Sequence, residues 1–240
     1  MFLNPRDHEI ARTVDALGQV TTGTIEAIHF HGLSSQTPLK RAMLRLVDPK
    51  LKVLSRMELP NRGGSRGGSS PYVYQLGPAG WKLFRGNTRY WPYRAVNYHM
   101  LTIGNALVSL KRLEHTGRFQ VTRYRTEPKN WVTMAGVELR PDLYVELTNL
   151  ESGKTYSCWI EVDMGTERKP QLKAMLARYY HAWQHRQEGE YDQWPLVFFL
   201  VPDVDRKDEL ERLIAQGSEE ARALFVVRLF SEFPPANLSM

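Results

Sequence analysis

The feature that most constrains this chain is its longest apolar run, Leu196-Val197-Phe198-Phe199-Leu200-Val201, which follows Pro195. Six residues suit one buried strand. They fall far short of the roughly 18–20 needed to cross a bilayer, so no membrane segment is expected. Helical patterns stand on both sides, Pro170 to Arg186 before the run and Asp205 to Gln216 after it, and Leu224 to Leu229 reads as a last strand. Helices alternating with a buried strand imply an α/β fold.

Upstream, Tyr98 to Leu113 repeats apolar residues at helical spacing (Leu101, Ile103, Leu107, Val108, Leu110). Phe119 to Tyr124 alternates as a strand does, and Leu139 to Leu147 and Thr155 to Val162 are two more strands. Residues 93–230 therefore read as α-β-β-β-α-β-α-β around a mixed sheet. The last ten residues, 231–240, hold two prolines and little periodicity and are expected to fray.

Charge separates a first module from the rest. Residues 1–90 carry 13 Lys and Arg against 6 Asp and Glu, and residues 91–240 carry 19 against 20, so the first third holds the whole net charge of +6. A basic module beside a near-neutral one points to a polyanion partner. Arg6 to Leu17 is an amphipathic helix ended by Gly18, and Thr21-Thr22 caps a second helix that stops at Gly32. Ser34-Ser35 caps a third, with Leu39, Met43, Leu46 and Val47 inward and Lys40, Arg41 and Arg45 on its other side. Strands from Leu51 to Leu59 and from Tyr72 to Leu76 flank a loop rich in Gly, Ser and Arg. Three short helices and a hairpin with a basic tip make an N-terminal winged helix-turn-helix over residues 1–88. Its third helix would enter the major groove of double-stranded DNA, and Arg62 and Arg66 at the hairpin tip would reach phosphates or the minor groove.

The chemical signal is acidic. Pro141-Asp142 opens one strand, and Glu161-Val162-Asp163 closes the next, nineteen positions later. A hairpin turning near Glu151 to Lys154 brings Asp142 close to Glu161. Positions 161 and 163 share one face of a strand, so three carboxylates, Asp142, Glu161 and Asp163, are expected together. Like charges so placed repel, and a divalent cation stabilises them. Oxygen-only ligands favour Mg²⁺ or Mn²⁺ over zinc.

These residues carry a resemblance. Pro-Asp followed by Glu-x-Asp after a hairpin, in an α-β-β-β-α-β setting, resembles the PD-(D/E)xK nuclease superfamily. More narrowly, Arg140-Pro141-Asp142, the run Glu161-Val162-Asp163-Met164-Gly165-Thr166-Glu167, the stretch Gln171 to Tyr179, and His99 are similar to the replication-relaxation family, which joins an N-terminal winged helix to a nuclease-like domain. The resemblance implies Asp142 and Glu161 as metal ligands, and metal-dependent hydrolysis of DNA as an endonuclease or nickase in plasmid or mobile-element replication or transfer. Where that superfamily has Lys this chain has Asp163, and Lys173 on the following helix is the expected substitute. The rival reading is a non-catalytic replication or transcription factor on a degenerate nuclease fold. A two-fold homodimer suits palindromic sites and paired cuts.

Other signals are weaker. His29-Phe30-His31 with Tyr179-Tyr180 is similar to the residues of rolling-circle relaxases, but the histidines fall at a helix end. His181 and His185 are spaced to chelate a metal and lack an evident third ligand. Glu167 reads as a helix cap and Tyr179 as a core aromatic. There is no phosphate-binding Gly-x4-Gly-Lys-Ser/Thr motif, which argues against a helicase. The single Cys158 excludes an internal disulfide and a Cys-based zinc finger. Met1 to Asp7 lack the order of a secretory leader, so a cytoplasmic location is expected.

Overall fold

A computed structural model describes residues 3–59, 72–187 and 193–234. The chain divides into two compact units, Met1–Val108 and Ser109–Met240.

In the first unit, helix α1 (Pro5–Leu17) opens with the Asn4 side chain accepting from the Asp7 N–H at 2.8 Å. Strand β1 (Val20–Thr21) leads into α2 (Thr22–His29), whose first turn is closed by the Thr21 hydroxyl accepting from the Thr24 N–H. Then come α3 (Thr37–Leu46), β2 (Leu54–Glu58), β3 (Tyr72–Leu76) and α4 (Pro78–Arg85). The strands form an antiparallel sheet in the order β1-β3-β2. Ile10, Val14, Ile25, Leu39 and Leu46 of the helices and Val73 of β3 are buried. Gly77 and Gly80 let β3 turn into α4 against the preceding chain. A Cβ at either would lie 2.4 or 2.2 Å from the carbonyl oxygen of Lys52 or Val53, so no larger residue fits.

The segment after α4 is tied down. Buried Gln75 donates to the Tyr93 carbonyl oxygen and accepts from the Tyr93 N–H. Buried Gln19 does the same with the Ala95 carbonyl oxygen and the Asn97 N–H. Two glutamines, polar and therefore silent in a hydrophobic pattern, thus extend the first unit past residue 88. The boundary between units lies within the next helix, α5 (Tyr98–Glu114).

The second unit continues with β4 (Phe119–Thr126), the small hairpin β5 (Val132–Met134) and β6 (Val137–Leu139), then β7 (Leu143–Asn149) and β8 (Thr155–Val162). After these come α6 (Lys169–Gln184), β9 (Leu196–Val201), α7 (Val204–Ile214), α8 (Glu219–Arg222), β10 (Phe225–Leu229) and a 3₁₀ turn, Phe230–Glu232. Five strands form a mixed sheet, β10-β9-β8-β7-β4: β8, β9 and β10 run parallel, and β7 is antiparallel to both β8 and β4. The apolar run forms β9, near the middle of the sheet. The strand expected from Leu139 to Leu147 is instead two pieces. Pro141 has no N–H for a ladder, so the chain breaks there and leaves Asp142 just ahead of β7. Alternate residues of β8 and β9 (Trp159, Val197, Phe199, Val201) pack with Leu172, Leu176 and Tyr179 of α6 and Leu210 of α7. Among the described residues no helix is long and apolar enough to cross a membrane.

Candidate metal centre and nucleic-acid face

The turn between β7 and β8 sets the register. The Asn149 side chain accepts from the N–H groups of Glu151 and Ser152, and Gly153 takes φ +69°. The strands then pair Thr148 with Thr155 and Leu143 with Ile160. One step further along this ladder, Asp142 stands opposite Glu161. The Asp142 carboxylate accepts from the Val162 N–H at 2.7 Å. Just before it, the buried Asn130 amide donates to the Pro141 carbonyl oxygen at 2.5 Å and fixes the approach.

Asp142 and Glu161 are each 8% exposed. Burial first, and the charge of Asp142 second, hold the Glu161 carboxyl well above the usual carboxylate range, and Glu167 and Glu127 push the same way. One donor opposes them: the Tyr179 hydroxyl donates to Glu161 Oε1. Tyr179 is indeed a core aromatic, with Trp159 and Phe225 against its ring, but its hydroxyl belongs to the acid site.

Two expected members of the site are placed differently from the facing pair. Asp163 is on the Glu161 side of the sheet, but both its oxygens are engaged. Arg206 Nε donates to Oδ2 at 2.6 Å and the Gly165 N–H to Oδ1 at 2.7 Å. Arg206 also donates to Glu209 and to the Glu167 carbonyl oxygen. Asp163 is therefore half of a buried ion pair. Sequence reading missed Arg206, which lies 43 positions downstream with no motif around it. Lys173 stands exposed on α6, next to buried Leu172. Arg178 of α6 acts through its charge on Glu167 and Tyr179. Its place directly before Tyr179 is the signal that could have found it.

Glu167 is not a cap either: the Arg168 N–H at the start of α6 is satisfied by the Gln171 side chain. Burial, then Asp163, and also Asp142, raise the Glu167 carboxyl, against the pull of Arg206 and Arg178. Among the described residues no group of three or more His, Cys, Asp or Glu is placed to hold a metal. The donor set is two facing carboxylates. That set fits Mg²⁺ or Mn²⁺, because Mg²⁺ commonly takes one or two protein carboxylates and fills its remaining positions with water and phosphate oxygen.

In the first unit, Lys40 and Arg41 are exposed on α3. Arg45, expected beside them as a DNA contact, turns back to α1. Its guanidinium makes two bonds, 2.6 and 2.7 Å, to Asp7, whose side chain is 2% exposed. Arg62 and Arg66 lie outside the described residues. His29 Nε2 sits 2.9 Å from the Thr13 hydroxyl on α1, so that ring ties two helices together. The rings of His181 and His185 stack at 4.3 Å, and His185 Nδ1 is spent on the His181 carbonyl oxygen. Burial pushes the Cys158 thiol up to about 12, as expected of a packed side chain.

A family model described as replication-relaxation matches residues 12–197, more than three quarters of the chain. The chain belongs to the replication-relaxation family. Membership ties it to replication or relaxation of plasmids or mobile elements. The part of the chain that matches the replication-relaxation model includes α3, Asp142, Glu161, Asp163 and Tyr179, and stops short of Arg206. No curated protein and no solved structure matches the chain.

Proposed function

We propose that this protein binds double-stranded DNA through a winged helix-turn-helix in its first unit and hydrolyses phosphodiester bonds with a PD-(D/E)xK-like second unit, in plasmid or mobile-element replication or transfer. The observation that carries the reading is the pairing of Asp142 with Glu161 at adjacent strand ends, close enough for one charge to perturb the other. Asp142 and Glu161 hold the divalent cation. When bound, it supplies charge neutralisation for a phosphodiester and acidifies water.

The remaining roles belong to this chain's own groups. The Val162 N–H and the Tyr179 hydroxyl orient the two carboxylates. Arg206 neutralises Asp163, so that a third negative charge does not add to the pair. Arg178, whose charge acts on Glu167 and Tyr179, is assigned to the developing charge on phosphorus. The reaction is hydrolysis to a 3′-hydroxyl and a 5′-phosphate, the outcome that the nuclease resemblance implies. In the first unit, the order of three helices and a hairpin, with Lys40 and Arg41 exposed on the third helix, supports major-groove docking.

One observation favours a second reading. Asp163 occupies the usual lysine position and is locked to Arg206, which suits a non-catalytic replication or transcription factor on the same scaffold. Incubating supercoiled plasmid with the full chain and Mg²⁺ or Mn²⁺ separates the two. Hydrolysis predicts nicked circles that vanish in Asp142→Ala and Glu161→Ala. DNA binding without cleavage under either metal assigns the second reading.

A further inference from the structure

The wall of α3 that faces the hairpin bounds a groove of about 470 Å³. Its floor is apolar, with Leu39, Met43 and Tyr74, and Leu44 stands on its rim 63% exposed. Among the described residues two cations edge it, Lys40 from α3 and Arg56 from β2. Arg56 pairs across the sheet with Tyr74, and its guanidinium lies over the ring of the diagonal neighbour Tyr72 at 4.5 Å. The duplex reading shares Lys40 with this groove and leaves its apolar floor, Arg56 and Tyr72 unused.

We infer that this groove takes an unpaired nucleotide, its base against the apolar floor and the Tyr72–Arg56 stack and its phosphate between Lys40 and Arg56. The inference rests on the DNA-binding reading above and goes beyond it. A closed duplex turns phosphates and stacked edges outward, and an apolar floor gains nothing from them. A base freed from the stack presents an aromatic face with an anion one sugar away, which matches a floor without charge and a rim with two cations. An acidic amphipathic peptide would also match the charge, but the aromatic ring of Tyr72 beneath the Arg56 guanidinium is what a base plane complements. A protein serving replication or relaxation meets such nucleotides wherever strands part.

The test compares the full chain on a short closed duplex and on the same duplex carrying a central bubble of mismatched thymines. The parent binds the bubble about tenfold more tightly than the closed form, the loss expected from one stacked base. Tyr72→Ala erases that preference and leaves closed-duplex affinity unchanged, Tyr72→Phe keeps it, and circular dichroism checks that both variants fold. Equal affinity of the parent for the two DNAs overturns the inference while leaving the duplex reading intact. No binding to either overturns both. A bubble preference that survives in Tyr72→Ala and in Arg56→Gln overturns it too. So does an acidic amphipathic peptide that binds the parent, fails on Tyr72→Ala, and is accompanied by no bubble preference.

Discussion

At the scale of single residues, the second unit is held around charges that must be matched. Arg206 and Asp163 are 8% and 5% exposed, and removing one strands the other. Arg206→Met should cost about 3–5 kcal/mol in denaturant unfolding. The double variant with Asp163→Asn should recover part of this, because it removes the orphan charge. Equal losses in the single and double variants would show that packing around Arg206, not its charge, is what matters. Glu161 gives a pH signature. Its folded carboxyl titrates above the unfolded value of about 4.3, so the folded state binds the proton more tightly. Stability from this group is complete below the unfolded value and falls as pH rises toward the folded one. Without divalent cation, Glu161→Gln should therefore be more stable than the parent at pH 7, and the gap should close as pH drops toward 4. Equal melting temperatures at pH 7 would contradict the burial argument.

At the scale of elements, α3 carries one cation spent on structure, Arg45, beside Lys40 and Arg41, which the proposed reading assigns to DNA. Arg41→Ala should weaken duplex binding and lower the salt slope by about one. Arg45→Ala should leave the slope alone and cost stability, about 1–2 kcal/mol, since Asp7 loses its partner but the Arg45 side chain is 44% exposed and screened by solvent. Fluorescence anisotropy across a salt series, with thermal melts, distinguishes the two. The same helix shows what a sequence can reveal. The apolar period placed α3, and the turn read near Glu151 to Lys154 with two alternating strands placed Asp142 against Glu161. Periodicity and turn chemistry are local, and local signals survive in a one-dimensional reading. The partners of Asp163 and Arg45 were not legible, because an ion pair 38 or 43 positions apart leaves no period. Nor were Gln19 and Gln75, whose hydrogen bonds extend the first unit. The hairpin β5–β6 was missed because its strands have three residues each, too few to establish alternation.

At the scale of the whole molecule, a basic unit of helices and a hairpin is joined in one chain to a mixed-sheet unit with two carboxylates at adjacent strand ends. The proposed division of labour is that the first selects DNA and the second acts on it. The claim beneath the hydrolytic reading is that Asp142 and Glu161 share one divalent cation. Titrating Mn²⁺ into the full chain, with free ion followed by electron paramagnetic resonance, tests it most directly. The account predicts one tightly held ion per chain, lost in Asp142→Ala and in Glu161→Ala alike and kept in Lys173→Ala. Mn²⁺ binding that is absent from the parent, or unchanged in both carboxylate variants, would contradict it.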